Sequence, residues 1–291
     1  MNMRAIFYED ANEFYDLVYP FLLNHEVENG LLFRISNSLK INTQTYGKSP
    51  PLMISIIENE TIKLISVMTP PFDLLISYTT DLNSIEILVE ELLKRKVSIP
   101  GVLSFNEAAD KFTKLWCKGN SLESKLLRRE RIYKLTKVSE ETLGNKQFSV
   151  ATKPHQPTVL KWAREMMIEA LLEVTEEELL RNNNNLKDEF KHKNSQIFLL
   201  FEDKVPVSMA RMAGKTPHGH SINLVYTPPS LRGNGYATEC VAKLSKHLLE
   251  EGSEYCFLFT DLSNPTSNNI YQKIGFRPII DENHYKFFSI K

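Results

Sequence analysis

The sequence predicts an α/β chain of two domains that carry the same order of elements. Three observations predict it. The chain has 291 residues, and at about 150 residues per domain two domains are expected. Hydrophobic residues make up 42% and charged residues 24%, an ordinary globular composition in which each half can bury its own core. Short β-branched runs alternate with runs of helical period in both halves.

The elements follow in order. In "YEDANEFYDLVYPFLLNHE" Asp10 stands at the N-cap and Glu13 three residues on. Phe14, Leu17, Val18, Phe21 and Leu22 then recur at helical spacing. "NGLLFRISNSLKI" is a second helix. "LMISIIE", "IKLISVM" and "DLLISYT" are strands separated by Asn, Glu and Pro. "SIEILVEELLKRK" is a helix whose stripe is Ile85, Leu88, Val89 and Leu92. "GVLSF" is a strand, "NEAADKFTKLWCKG" a helix and "RRERIYKLTKV" a strand. The polar, Gly-containing stretch 139–146 is a linker between a domain over 1–138 and one over 147–291.

The second half repeats the order. "FSVATKP" is a strand, and "QPTVLKWAREMMIEALLE" and "TEEELLRNNNNLKDEFKH" are helices. The run Asn182–Asn185 is expected to weaken or interrupt the latter. "SQIFLLFED", "KVPVSMARMAG" and "HSINLVYTP" are strands. Residues 235–251 form a helix burying Ala237, Cys240, Val241, Leu244 and Leu248, with Gly252 as its stop. "YCFLFTD", "NPTSNNIYQKIG" and "YKFFSI" complete the chain as strand, helix and strand.

Composition narrows the function. The formal net charge is −1, which excludes a globally basic nucleic-acid binder. No apolar run approaches 18 residues, and "MNMRAIFYEDANEFYDLVYP" lacks a signal-peptide pattern. Cys117, Cys240 and Cys256 form no C-x-x-C pair, so a cytoplasmic location is expected, with no disulfide framework or metal. His218 and His220 in "PHGH" have no third ligand nearby and read as a solvent hairpin. "KLLRRERIYK" reads as an alternating strand with exposed charge. Trp116 and Trp162 are expected in the core or at a domain interface.

The stretch "VYTPPSLRGNGYAT" carries the chemistry. Pro228 and Pro229 end strand pairing because neither donates a ladder hydrogen bond. Gly233 and Gly235 permit positive φ and close approach of a ligand. Successive N–H groups and the positive end of the next helix favour an anion, and Arg232 adds a charge suited to phosphate oxygens. The alternative is a plain strand-to-helix turn. The spacing matches neither a Walker loop nor the G-x-G-x-x-G fingerprint, since Thr238 stands at the third glycine position.

The pattern R-x-x-G-x-A after V-Y-T-P resembles motif A of the GNAT superfamily of N-acetyltransferases. "DLSNPTSNNIYQKIGF" strengthens the resemblance. Asn264 stands seven residues before Tyr271, and Gly275-Phe276 begins four residues after it. The wording of both stretches is most similar to bacterial GNAT proteins with an additional N-terminal domain. The resemblance implies an α+β architecture of two GNAT-like domains in tandem, each a mixed, mostly antiparallel sheet flanked by helices. It implies acetyl-CoA as cosubstrate and acetyl transfer to an amine of a small molecule or peptide.

Residue by residue, it implies that Leu224, Val225 and Tyr226 offer backbone groups to the pantetheine arm. Arg232, Gly233, Asn234, Gly235, Tyr236 and Ala237 hold the pyrophosphate, with Thr238 at the edge. Asn264 faces the arm and Tyr271 is the general acid. Read from its helix alone, Tyr271 is a half-buried amphipathic tyrosine. A tyrosine, with a pKa of about 10, can protonate a thiolate of ~8.5. Glu165, Glu169 and Asp261 lie near enough to be weighed as bases, but each reads first as a solvated charge or cap. Cys240 and Cys256 fall on buried positions, so direct attack by the amine is expected.

The equivalent loop of the first half, "SYTTDLNSIEIL", has no glycine or arginine and carries Asp81. That half is read as a degenerate domain without coenzyme that shapes the acceptor side or mediates dimerisation; the alternative is an unrelated α/β domain. No nucleic acid or membrane partner is expected, and the protein is read as a monomer or homodimer. The rival function is a non-catalytic acyl-CoA-binding sensor, and a longer acyl group is a third possibility.

Overall fold

The structure is a computed structural model, described here for residues 3–170, 174–191 and 196–290. The first half runs β1 (Met3–Tyr8), α1 (Ala11–Asn24), α2 (Gly30–Ile41), β2 (Leu52–Glu58), β3 (Thr61–Met68), β4 (Leu74–Ile76), α3 (Asn83–Lys94), β5 (Gly101–Phe105), α4 (Asn106–Asn120) and β6 (Leu122–Leu135). The second runs β7 (Gln147–Val150), α5 (Gln156–Ala170), α6 (Glu176–Lys191), β8 (Ile197–Glu202), β9 (Val205–Lys215), β10 (Gly219–Tyr226), α7 (Tyr236–Glu250), β11 (Tyr255–Asp261), α8 (Pro265–Ile274) and β12 (Arg277–Ser289). The order of strands and helices is the same in both, as the sequence predicts.

By packing, the chain divides into two compact units. Unit 1 holds residues 1–132, 259–264 and 278–291; unit 2 holds 133–258 and 265–277. The partition is not a single cut, because the C-terminal strand returns to the first unit.

In unit 1 the sheet order is β1-β2-β3-β4-β5-β12. Neighbours are antiparallel except β4 and β5, which are parallel. β12 aligns Glu282 with Phe105 and Lys286 with Gly101. Asp73 anchors it, binding His284 Nε2 and Lys286 Nζ at 2.6 Å each. One core face joins α3 and α4 to the sheet through Leu88, Leu92, Phe112 and Trp116. Another buries Phe14, Val18, Leu22 and Phe33 of α1 and α2. Asp10 caps α1 by accepting from the N–H groups of Asn12 and Glu13. β1 is not among the strands that the sequence predicts. Its six residues run directly into the strong helix signal of α1, and pairing with β2 from Met3–Glu58 to Tyr8–Met53 is what orders it.

The start of α3 is closed by its own side chains. Asp81 Oδ1 accepts from the Asn83 N–H at 3.1 Å, and Thr79 Oγ1 accepts from the Asp81 N–H at 3.1 Å. A carboxylate thus stands where the corresponding helix of unit 2 has glycines.

In unit 2 the order is β7-β8-β9-β10-β11, antiparallel except for the parallel pair β10 and β11. α7 packs on this sheet through Cys240, Val241, Leu244 and Leu248, together with Ile222, Leu258, Tyr271 and Phe276. Gly252, at φ +98°, ends α7. The Ser253 N–H donates to the Leu248 carbonyl at 3.0 Å and Gly252 to Leu249 at 3.1 Å, a Schellman closure. A second cluster joins α5 and α6 to the sheet through Val159, Trp162, Leu186 and Phe190.

One expectation fails. α6 runs unbroken through Asn182–Asn185. Leu179, Leu186 and Phe190 are buried on either side of the run. The Thr175 side chain and Glu178 cap the start reciprocally. Burial and capping together override a propensity deficit of a few tenths of a kcal/mol per Asn. The predicted ends of α5 and α6 at 171–173 and His192 lie outside the described residues.

Gly275 ends α8 at φ +115°, and a Cβ there would sit 2.8 Å from the Lys137 carbonyl oxygen. Gly275→Ala is therefore expected to destabilise unit 2 by about 1–3 kcal/mol. A urea midpoint equal to wild type would contradict this. Among the described residues no helix is long and apolar enough to cross a membrane.

Candidate active site

The parallel pair opens the site. β10 pairs with β11 only from Gly219–Tyr255 to Ser221–Phe257. Beyond Ser221 no pairing with β11 is found among the described residues. On the other side the register with β9 shifts between Asn223 and Tyr226. Leu224 sits at the shift with φ +51°, a strained value for a residue with a branched side chain. The bulge turns the backbone of Leu224 and Val225 out of the regular ladder, which is how backbone groups become available to a ligand.

Tyr226 ends the strand. Its ring is buried against Trp162, with centroids 6.3 Å apart. Its hydroxyl donates to Glu165 Oε2 at 3.2 Å and Glu169 Oε1 at 3.1 Å. Burial and then these two carboxylates push its pKa well above the usual tyrosine range. Glu165 and Glu169 lie one turn apart on α5, so both reach the same hydroxyl.

After Pro228 and Pro229 the chain makes a short 3-10 turn and reaches Arg232. Gly233 and Gly235 follow at φ +84° and +78°. Beside each, the space a Cβ would enter is open to 4 Å. Asn234 Nδ2 donates back to the Leu231 carbonyl at 3.1 Å and braces the loop. Gly235 is the N-cap of α7 and no side chain caps the helix. The first N–H groups of Tyr236, Ala237 and Thr238 thus meet an open glycine cradle. The positive end of the dipole, free donors and absent side chains suit a pyrophosphate. Tyr236 turns its own hydroxyl away to the Glu202 carboxylate.

Arg232 is already engaged. Its Nε donates to the Thr227 carbonyl at 2.9 Å, and Nη2 meets Glu169 Oε2 at 2.6 Å. Its guanidinium lies 5.6 Å from the Tyr226 ring centroid. By sequence Arg232 points to the phosphate, and Glu165 and Glu169 read only as solvated charges or bases. The i, i+4 spacing of the two glutamates was visible. Their common partners were not, because 57 or more residues separate them from Tyr226 and Arg232.

Tyr271 lies in α8 at 8% exposure, within the same apolar cluster that Val225, Leu231 and Tyr236 pack against. Its ring meets Tyr133 and Phe276 at centroid distances of 6.3 and 5.9 Å. Its hydroxyl has no hydrogen-bond partner among the described residues, and burial pushes its pKa up to about 12. Asn264 directly precedes α8. Its N–H donates to the Asp261 carbonyl at 3.1 Å, and packing assigns it to unit 1. Asp261 spends one oxygen on the turn, accepting from the Ser263 N–H at 2.7 Å.

Neither thiol of unit 2 is suited to nucleophilic attack. Cys240 and Cys256 are buried, and burial pushes each up to about 12; a nucleophilic cysteine needs the opposite shift. Among the described residues no group of three or more His, Cys, Asp and Glu could hold a metal. His220 Nδ1 is occupied by Ser253 Oγ at 2.7 Å.

An antiparallel sheet with one splayed parallel pair, a bulge beside it and an open glycine turn into a helix define the site in an α/β domain. Residues 158–276 match the model of the Acetyltransferase (GNAT) family, and this segment is a GNAT domain. Likeness in fold extends over nearly the whole chain. An acetyltransferase of the GNAT family from Colwellia psychrerythraea matches at 13% identity and TM-score 0.54, covering 99% of each chain. A Drosophila protein matches at 10% identity and TM-score 0.64, covering 98% of each. A GCN5-related N-acetyltransferase from Sphaerobacter thermophilus matches at 11% identity and TM-score 0.56, covering 88% of this chain and 87% of its own. No curated protein matches the chain.

Proposed function

We propose that the protein is a cytoplasmic acetyl-CoA-dependent N-acetyltransferase. The pair Gly233 and Gly235, open-faced at the uncapped start of α7, carries this reading. Gly233, Asn234, Gly235, Tyr236, Ala237 and Thr238 present backbone N–H groups to the pyrophosphate, with Arg232 beside them. Leu224, Val225 and Tyr226 offer backbone groups to the pantetheine arm. The coenzyme supplies an activated thioester carbonyl. The acceptor is an amine of a small molecule or peptide, and the buried thiols of unit 2 favour direct attack without an acyl-enzyme.

Tyr271 is the proton donor. It stays protonated at every working pH, since burial pushes its pKa up to about 12. Against a thiol of ~8.5 a full transfer is uphill. Tyr271 therefore donates a hydrogen bond first, and gives up its proton as charge builds on the sulfur in a dry site. The backbone N–H groups beside the Leu224 bulge steady the carbonyl oxygen.

Isothermal calorimetry with acetyl-CoA tests the reading. Wild type is expected to bind. Gly235→Trp, which fills the open side of the loop, is expected to weaken binding by at least about tenfold, or 1.4 kcal/mol. Free-thiol release with a panel of amines then reports transfer. Equal affinity of the two proteins, or no binding at all, would sink the reading; binding without thiol release from any amine would leave an acyl-CoA sensor instead.

A further inference from the structure

We propose that Glu169 is a positioning residue that competes with the coenzyme's pyrophosphate for Arg232. This deepens the reading above and rests on it.

Arg232 is the one loop side chain with a fixed positive charge, yet it is folded back onto the exit of β10. Three contacts hold it: the Thr227 carbonyl at 2.9 Å, Glu169 at 2.6 Å and the Tyr226 ring at 5.6 Å. Glu169 is held in turn. Its Oε1 accepts from Tyr226 while its Oε2 meets Arg232, so both oxygens are committed and the carboxylate cannot swing away freely. Arg232 and Glu169 are both about half exposed, at 48% and 43%. In such a setting an ion pair contributes little and is readily exchanged.

A pyrophosphate arriving at Gly233 and Gly235 brings two negative charges within reach of the same guanidinium. It draws Arg232 off Glu169, because a bidentate phosphate contact is stronger than a half-solvated carboxylate pair. Glu169 meanwhile lowers the positive potential that attracts the coenzyme. Coenzyme binding therefore leaves the Glu169 carboxylate beside Tyr226 without its cation. The surface of α5 around Glu169 becomes more negative only once the coenzyme is seated, which suits a cationic acceptor arriving second.

Calorimetry on the full chain with coenzyme A and with pantetheine, which lacks the pyrophosphate, tests this. Glu169→Gln is expected to bind coenzyme A roughly two- to fivefold tighter than wild type. Pantetheine should bind both proteins alike, and the gain should vanish when Arg232→Met is already present. A merely structural role for Glu169 would move both ligands together. Wild-type binding with Glu169→Gln unmoved or weaker, or a gain that survives Arg232→Met, overturns the proposal alone. If wild type does not bind coenzyme A, the acetyltransferase reading falls first and this proposal with it.

Discussion

Tyr271→Phe is expected to lower turnover by roughly 10²–10⁴-fold while coenzyme affinity stays within about twofold of wild type. The expectation rests on where the hydroxyl sits. The ring of Tyr271 fills the cluster of Ile274, Phe276 and Leu258, and phenylalanine keeps that packing. The hydroxyl bonds to nothing among the described residues, so its removal strands no partner and stability should hold. Only an interaction made in the transition state is lost, and such losses appear in turnover rather than in binding. The variant also tests the pH profile. With a pKa pushed up to about 12 by burial, Tyr271 should contribute no alkaline limb below about pH 10, so any such limb must survive in coenzyme binding by Tyr271→Phe. Undiminished turnover in the variant would remove Tyr271 from the chemistry.

Glu282→Gln is expected to flatten the pH dependence of the stability of unit 1. Glu282 lies on β12 at 6% exposure, and its Oε2 is buried without a partner. Burial, and then the nearby Glu130, push its pKa up to about 8, with Arg128 opposing. The fold therefore favours the neutral acid. Its full contribution is present below the unfolded pKa of about 4.5 and is lost progressively as pH rises to about 8. Over that window the loss is on the order of 5 kcal/mol, at about 1.36 kcal/mol per pKa unit. Glutamine cannot ionise, so the variant should be the more stable protein at pH 8.5, and the two should converge near pH 5. Urea midpoints at the two pH values, followed by a probe of unit 1 such as Trp116 fluorescence, make the comparison. Equal slopes in the two proteins would show that Glu282 ionises freely.

The placement of Glu282 also shows where sequence reasoning stops. The sequence contains "YKFFSI" as a strand signal, and β12 is indeed a strand. Nothing in its alternation says that it pairs with β5, some 180 residues upstream, rather than with its sequence neighbours. The domain expectation put all of 147–291 together; packing puts 278–291 with unit 1. Strand partners are chosen by register and burial over the whole chain, which a local period does not carry.

The four asparagines make the same point in a helix. Their propensity argues for a break, yet Leu186 and Phe190 hold α6 through them. Arg232 is the case that matters for function. Its type and position point to phosphate, while its partner in the fold is a carboxylate 63 residues earlier.

By itself, the sequence determined the repeated order of strands and helices, the caps at Asp10 and Gly252, and the glycine turn into α7. These follow from short-range geometry: residue period, φ restrictions and the orphan groups at helix ends. It also points to the second half for the chemistry, because the corresponding loop of the first has no glycine or arginine and carries Asp81. Only the tertiary structure decided which strand β12 joins, that α6 survives its asparagines, and that Arg232, Tyr226, Glu165 and Glu169 form one network. Those outcomes depend on side chains far apart in sequence competing for the same few buried or half-buried partners, and only the folded chain settles that competition.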